Sequence, residues 1–104
     1  MQIKPVVRRP AARLDVDETV AHYAEIDVML AYRFVDELEA AIHHIQKYPG
    51  TGFPRYADIL KMNGLRHWML NRFPYTIFYF ELEDCIDVVR MLHQSADIPS
   101  QLRD

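Results

Sequence analysis

An apolar stripe with helical spacing, from residue 28 to residue 45, constrains the fold more than any other feature of this 104-residue chain. Its members recur every three or four residues over five turns: Val28, Ala31, Phe34, Val35, Leu38, Ala41, Ile42 and Ile45. This period is that of an amphipathic helix with one buried face. Tyr48-Pro49-Gly50 follows, and a residue before proline leaves the helical region. The sequence therefore predicts one continuous helix over residues 28–48.

A second apolar stripe lies just before this helix. Its members recur at steps of three and four residues: Ala12, Val16, Val20, Tyr23 and Ala24. Pro10 suits a first helical turn because its fixed φ is already helical, so we expect a helix from Pro10 to near Asp27. Only a tight connection separates the two helices. They are therefore predicted to form an antiparallel hairpin whose stripes face a common partner.

Strand patterns replace helical ones in the last third of the chain. Residues 65–72, 75–81 and 85–93 are rich in β-branched and aromatic side chains, with short polar or proline-bearing breaks between them. This spacing is typical of a β-meander. Residues 3–8 read as a further short strand. Because Pro5 donates no ladder hydrogen bond, we expect that strand at the edge of the sheet.

Two stretches carry no regular pattern. Residues 49–64 contain the three glycines of the chain and are expected to form the main loop, with a single turn around residues 56–62. From Ser95 onward the chain is mostly polar. We expect a tail there that only Ile98 and Leu102 anchor.

Helices followed by strands indicate a single α+β domain over residues 1–104: an N-terminal helical hairpin packed on a small, largely antiparallel sheet of three to four strands. Half of the residues are hydrophobic, which is enough for one core. No apolar run approaches the roughly 18 residues of a membrane span. Cys85 is the only cysteine and fits a reducing compartment. We therefore expect a cytoplasmic protein that makes no membrane contact.

Charge and histidine spacing limit the ligands. The net charge is −3 and the cations fall in separate blocks, so the chain lacks the basic footprint of a phosphate-backbone binder. His43 and His44 are adjacent on a helix and point about 100° apart, which does not make a ligand pair. The other histidines have no cysteine or carboxylate at ligand spacing. We expect no metal site, no cofactor and no direct nucleic-acid binding outside a nuclease alternative.

That alternative rests on three polar residues that interrupt apolar strands: Arg66, Arg90 and His93. If they meet at one sheet face, arginine can stabilise a developing phosphate charge and histidine can transfer a proton, which describes metal-free RNA cleavage. In the structural alternative, the arginines pair with acids such as Asp87 or Glu81, and His93 caps a strand. Spacing alone favours the structural alternative.

Several short motifs occur in a defined order along the chain. They are Pro10-Ala11-Ala12, the segment from Phe34 to Ile45 that ends at Tyr48-Pro49-Gly50-Thr51-Gly52, Asn63-Gly64-Leu65-Arg66, Tyr75-Thr76-Ile77-Phe78-Tyr79 and Val89-Arg90-Met91-Leu92-His93-Gln94-Ser95-Ala96-Asp97-Ile98. In this order and spacing the chain resembles the ParE/RelE superfamily of type II toxin–antitoxin toxins, and it looks closer to the ParE branch. The resemblance spans nearly the whole chain.

The resemblance implies a small toxin held inactive by a cognate ParD-like antitoxin, which has a ribbon-helix-helix start and a disordered tail. ParE-like toxins poison DNA gyrase, whereas RelE-like toxins cut messenger RNA on the ribosome, and some members have lost toxicity. The negative net charge and the absence of a tyrosine after the last strand depart from the RelE pattern. We therefore favour a gyrase-binding toxin without catalysis. The alternatives are a metal-free endoribonuclease and a non-toxic interaction module.

Candidate contact residues follow from the same resemblance. Arg66 and Arg90 match positions where family nucleases place phosphate-contacting arginines, and His93 can stand in for the acid–base residue. These three residues are also the candidates for binding the target. Two amphipathic helices on a small sheet leave apolar groove edges for an antitoxin segment. The candidates for that contact, with core packing as the alternative for each, are Phe53, Trp68, Phe73 and Tyr75.

Overall fold

Four helices and a four-stranded sheet make up residues 3–103, the part of the chain that this computed structural model describes. The elements in chain order are β1 (Val6–Arg8), α1 (Pro10–Ile26), α2 (Val28–Lys47), a 3₁₀ turn (Pro49–Thr51), α3 (Arg55–Leu60), β2 (Leu65–Met69), β3 (Tyr75–Glu81), β4 (Ile86–His93) and α4 (Ile98–Arg103). The predicted α+β class is confirmed, as is the continuous second helix.

Asp27 makes the connection between α1 and α2. Its backbone N–H donates to the carbonyl of Tyr23 over 2.9 Å and ends α1. Its side chain accepts from the N–H of Met29, also over 2.9 Å, and caps the start of α2. Since one residue both ends the first helix and starts the second, the helices turn back on each other as the predicted hairpin.

The sheet has the order β1-β4-β3-β2. The last three strands pair antiparallel as the predicted meander, and β1 pairs with β4 in parallel, at the edge. The first meander strand is shorter than expected: it ends at Met69, because residues 70–74 form the turn into β3. In that turn the N–H of Leu70 donates to the carbonyl of Tyr75, and the N–H of Arg72 donates to Glu37 on α2.

Two apolar clusters cover the two faces of the sheet. The larger one lies under the helical hairpin, and its fully buried side chains include Phe34, Ile45, Ile77, Tyr79 and Ile86. The smaller one lies on the opposite face, under α3 and α4, and consists of Leu60, Leu65, Phe78, Val89, Leu92, Ile98 and Leu102. Both faces of β3 are therefore buried, which accounts for its continuous run of aromatic and β-branched residues.

The C-terminal segment differs from the predicted polar tail. Residues 98–103 form a helix, and its two apolar residues, Ile98 and Leu102, are each only 7% exposed in the smaller cluster. Their spacing of four residues places both on one side of a helix, so a single turn suffices to bury them. In the main loop, the expected turn begins one residue earlier, as α3 over Arg55–Leu60.

Candidate functional site

Arg66 holds the loop between α2 and α3 against the sheet. Its Nη1 donates to the carbonyl of Gly52 over 2.7 Å. The neighbouring side chain across the strands is Tyr79, whose hydroxyl donates to the carbonyl of Pro49 over 2.6 Å. Burial raises the pKa of the Tyr79 hydroxyl, so it remains a donor. Arg66 and Tyr79 together fix the Tyr-Pro-Gly-Thr-Gly motif in place.

Arg90 connects β4 to α1 and α4 where the edge of β4 extends beyond the end of β1. Its Nε and Nη2 donate to the two carboxylate oxygens of Asp15, on α1, over 2.7 and 2.9 Å. Its Nη1 donates to the carbonyl of Gln101, on α4, over 3.2 Å. Arg90 is therefore held inside the fold by charge-assisted hydrogen bonds.

The acids expected to pair with the two strand arginines are engaged elsewhere. Asp87 accepts two hydrogen bonds from Arg9, and Glu81 pairs with Lys4. Asp15 takes the place that they were expected to fill. The prediction that the arginines serve structure is correct in kind for Arg90, but the named partner is wrong.

His93 closes β4 and is exposed. Its Nδ1 accepts a hydrogen bond from the N–H of Ser95 over 3.0 Å, and the Ser95 hydroxyl lies 2.7 Å from the same atom. In the neutral ring the proton therefore resides on Nε2. The ring also packs edge-on against Tyr75, with centroids 5.2 Å apart. His93 thus caps the strand, as the structural alternative predicted.

The three candidate residues do not converge. Arg66 and His93 lie on strands that flank β3, opposite Tyr79 and Tyr75 respectively. This separates them by two strand spacings, about 10 Å, and by about 13 Å along the sheet. Arg90 pairs with Phe78, one residue from Tyr79, where side chains point to the other face. A phosphodiester cleavage site that needs all three groups around one phosphate is therefore not formed by this arrangement.

Two of the four aromatic candidates form a partly exposed row at the β2 edge, in which Phe53 is exposed and Trp68 is half-buried. Phe53 is 51% exposed, and its ring stacks on Trp68 with centroids 6.4 Å apart. His44 of α2 also stacks on Trp68, with centroids 4.3 Å apart. The backbone of Phe53 exchanges two hydrogen bonds of 2.9 Å with that of His67, so residue 53 covers part of the β2 edge. We call Phe53, Trp68 and His44 the aromatic row.

The other two aromatic candidates pack toward the interior. Phe73 is 8% exposed and meets Tyr23 and Phe34 edge-on. Tyr75 is half-buried against the same two rings. The Phe73 ring belongs to the larger core, where aromatic edge-to-face packing stabilises the hairpin on the sheet.

Within residues 3–103, no group of three or more histidine, cysteine or acidic side chains is arranged to hold a metal ion. Over the same residues, none of the helices combines the length and the apolar character that crossing a bilayer requires.

The sequence of this chain matches a known protein family. A model of the ParE toxin of the type II toxin–antitoxin system parDE matches residues 6–98. The chain belongs to the ParE toxin family. A solved structure of a chromosomal ParDE toxin–antitoxin system from P. aeruginosa is similar in fold, with a TM-score of 0.72 at 18% identity over 88% of this chain and 96% of that chain. No curated protein sequence matches.

The contacts that position this ParE chain's loops were only partly visible in its sequence. Arg90 in an apolar strand signals that a buried partner is needed. Nothing local singles out Asp15, which is one of three acids close together on α1. Gly52 stands in a motif that the sequence did show, but its structural role was not visible there: a side chain at this position would collide with the Tyr79 hydroxyl.

Proposed function

We propose that this ParE-family chain is the toxin of a type II toxin–antitoxin system, that it acts in the cytoplasm by inhibiting DNA gyrase, and that a ParD-like antitoxin neutralises it. The observation that carries the proposal is the family match over residues 6–98. The dispersal of Arg66, Arg90 and His93 supports a toxin that binds its target over one that cleaves RNA, because acid–base cleavage needs its groups around one phosphate.

The aromatic row is the surface that we assign to the antitoxin. Stacked aromatic rings that are at least partly exposed are favourable anchors for a partner because they bury a large area with few rotatable bonds. The row also lies beside an open strand edge. Since the N–H and C=O of His67 face outward to Phe53, those of Met69, two residues on, face outward too. An extended antitoxin segment can therefore pair with β2 there and lay side chains across Trp68.

A shallow groove continues this surface onto α2. It has a volume of about 260 Å³ and is lined by Glu37, Ala40, Ala41, His44, Trp68, Met69, Leu70 and Asn71. Its alanines leave room for the side chains of a bound segment. The antitoxin tail would thus contact the second helix and the β2 edge at the same time.

Of the three target-binding candidates, His93 is the exposed one, and we place the gyrase contact around it. Arg66 and Arg90 lie inside the fold, where they hold the loop after α2 and the α4 segment in place. His22, an exposed histidine on α1, offers a matched control position.

The direct test is gyrase activity on plasmid DNA. Purified chain at micromolar concentration is added to gyrase and relaxed or supercoiled plasmid. The proposal predicts loss of supercoiling or accumulation of linear DNA, weakened by His93→Ala and unaffected by His22→Ala. Unchanged topology would contradict gyrase inhibition. Cuts in translated messages that His93→Ala abolishes would establish the nuclease alternative, and normal growth on expression without antitoxin would favour a non-toxic module.

A further inference from the structure

A second concave site lies on the sheet face opposite the hairpin, between α3 and α4. It has a volume of about 220 Å³. Two adjacent cross-strand pairs, His67 with Phe78 and Met69 with Thr76, form its floor. Arg55 and Tyr56 at the start of α3 line one side, and Gln94 and Ile98 line the other. We call this site the far-face pocket.

Polar side chains in and around this floor are not used by the fold. Within the described chain, the side chains of Arg55 and Gln94 form no hydrogen bond and no ion pair. The Arg55 guanidinium is the only formal charge among the lining residues, and none of them is acidic. Gln94 offers both a donor and an acceptor, and the Thr76 hydroxyl offers either. The pocket therefore combines one fixed positive charge with groups that can donate hydrogen bonds to a polar ligand and accept hydrogen bonds from it.

His67 is the central polar residue of the floor. Its side chain is 8% exposed, and Nδ1 is buried without a hydrogen-bond partner in the part of the chain that the structure covers. Burial, and secondarily the charge of Arg55, lowers its pKa, so the imidazole is neutral near pH 7. The Tyr56 ring stands edge-on to His67 at 5.4 Å and to Phe78 at 5.7 Å. An aromatic wall thus stands beside the charged rim.

We propose that the far-face pocket binds a nucleotide, with the base on the floor beside Tyr56, the base edge on Gln94 and Thr76, and the phosphate on Arg55. The volume is below the roughly 300–1,000 Å³ of pockets for drug-sized ligands, so it suits a single ring system with its charged group at the rim. Aromatic stacking and amide hydrogen bonds are the means by which proteins hold an unpaired base. Arginine is the side chain whose donors match a phosphate.

An acidic peptide side chain is the competing occupant. It would satisfy Arg55, but it would leave the polar groups of Thr76 and Gln94 facing an aliphatic chain, and it would gain little from Tyr56. A planar heteroaromatic ring can pack against Tyr56 and can also form hydrogen bonds with Thr76 and Gln94. The features of the pocket therefore favour a nucleotide, supplied either free or as the end of a single strand.

The test is a titration of the isotopically labelled chain, followed by NMR, with the four 5′-mononucleotides. The proposal predicts saturable shifts at Tyr56, His67, Thr76 and Gln94. Arg55→Gln should weaken binding about tenfold, as expected for loss of a charge-assisted phosphate contact. Arg72→Gln makes the same change at an exposed arginine outside the pocket, in the turn before β3, and should leave the affinity within twofold. Adenosine alone and inorganic phosphate alone should each bind about tenfold more weakly than the nucleotide.

A second variant and two further ligands complete the experiment. Gln94→Ala removes the base-edge contact at an exposed position and should also weaken binding, which keeps the test valid if Arg55→Gln alters the fold. A 5′-phosphorylated single-stranded oligonucleotide that binds more tightly than the mononucleotide identifies a strand end as the source; equal affinity identifies the free nucleotide. Shifts confined to other surfaces, equal effects of Arg55→Gln and Arg72→Gln, or tighter binding of a glutamate-containing peptide would overturn the proposal.

Discussion

Arg90 and Asp15 form a bidentate ion pair that joins the last strand to the first helix. Nε and Nη2 of the arginine each meet a different carboxylate oxygen, over 2.7 and 2.9 Å. The same carboxylate accepts the N–H of Met91 over 3.1 Å. Asp15 thus satisfies the backbone of β4 where β1 has already ended, and it orients the arginine that holds α4.

Replacing Asp15 by alanine should destabilise the fold. The change leaves a largely buried guanidinium and a strand N–H without their acceptor, which costs about 2–4 kcal/mol in free energy of unfolding. Asp17→Ala removes an exposed acid half a turn further along α1 and should change the free energy by less than about 0.5 kcal/mol. Urea denaturation of both variants measures the difference. Equal midpoints would mean that the ion pair contributes nothing to stability.

Gly52→Ala should be far more costly than Gly50→Ala, although both lie in the same loop. A Cβ at position 52 would collide with the Tyr79 hydroxyl and lie 2.8 Å from Cζ of that ring, whereas one at position 50 meets no atom within 4 Å. Overpacking of this kind costs about 1–3 kcal/mol. Thermal unfolding of the two variants provides the comparison, and similar melting temperatures would show that Tyr79 can move aside.

The pKa of His67 predicts a loss of stability in mild acid. Because its pKa is lowered in the folded state, the unfolded chain binds the proton more tightly, so this contribution is complete above about pH 6.5 and declines as the pH falls further. His67→Gln should therefore flatten the dependence of unfolding free energy on pH below about pH 6.5. His22→Gln, at an exposed position of α1, should leave the dependence as it is. Parallel pH profiles for all three proteins would contradict the assignment.

Substitutions in the aromatic row should weaken antitoxin binding. Trp68→Ala and Phe53→Ala each remove a stacked ring, and we expect each to lower the affinity about tenfold or more. Tyr32→Ala removes a ring of similar size that is 62% exposed on the hairpin and should have little effect. Calorimetry with the purified antitoxin measures the three affinities, after circular dichroism has verified folding. An effect of Tyr32→Ala alone would move the antitoxin surface to the hairpin.

The elements of the fold could be predicted because their signals are periodic and local. The apolar stripe from Val28 to Ile45 fits only a helix over its five turns. Asp27 ends the first helix with its backbone N–H and caps the second with its side chain. Each meander strand likewise carries its own pattern. Parallel pairing of β1 with β4 has no local signal, since it depends on where the hairpin returns the chain.

The site contacts could be predicted less well because they join distant parts of the chain. The need of Arg90 for a carboxylate was apparent, but α1 alone offers several acids, and only the packing of that helix against β4 selects Asp15. Helix α4 was missed because two apolar residues among polar ones form too short a period. The far-face pocket gathers residues from α3, two strands and the segment after β4, so no single motif encodes it.

The placement of β1 has a consequence for synthesis of the chain. Val6 pairs with Ile86, so β1 cannot join the sheet until residues 86–88, far along the chain, have been synthesised. Closing so long a loop is slow and costs entropy that local helices do not repay. While the ribosome is still translating the segment before β4, the nascent chain therefore lacks a complete sheet, and the surface that β1 and β4 share forms only once both strands have been made.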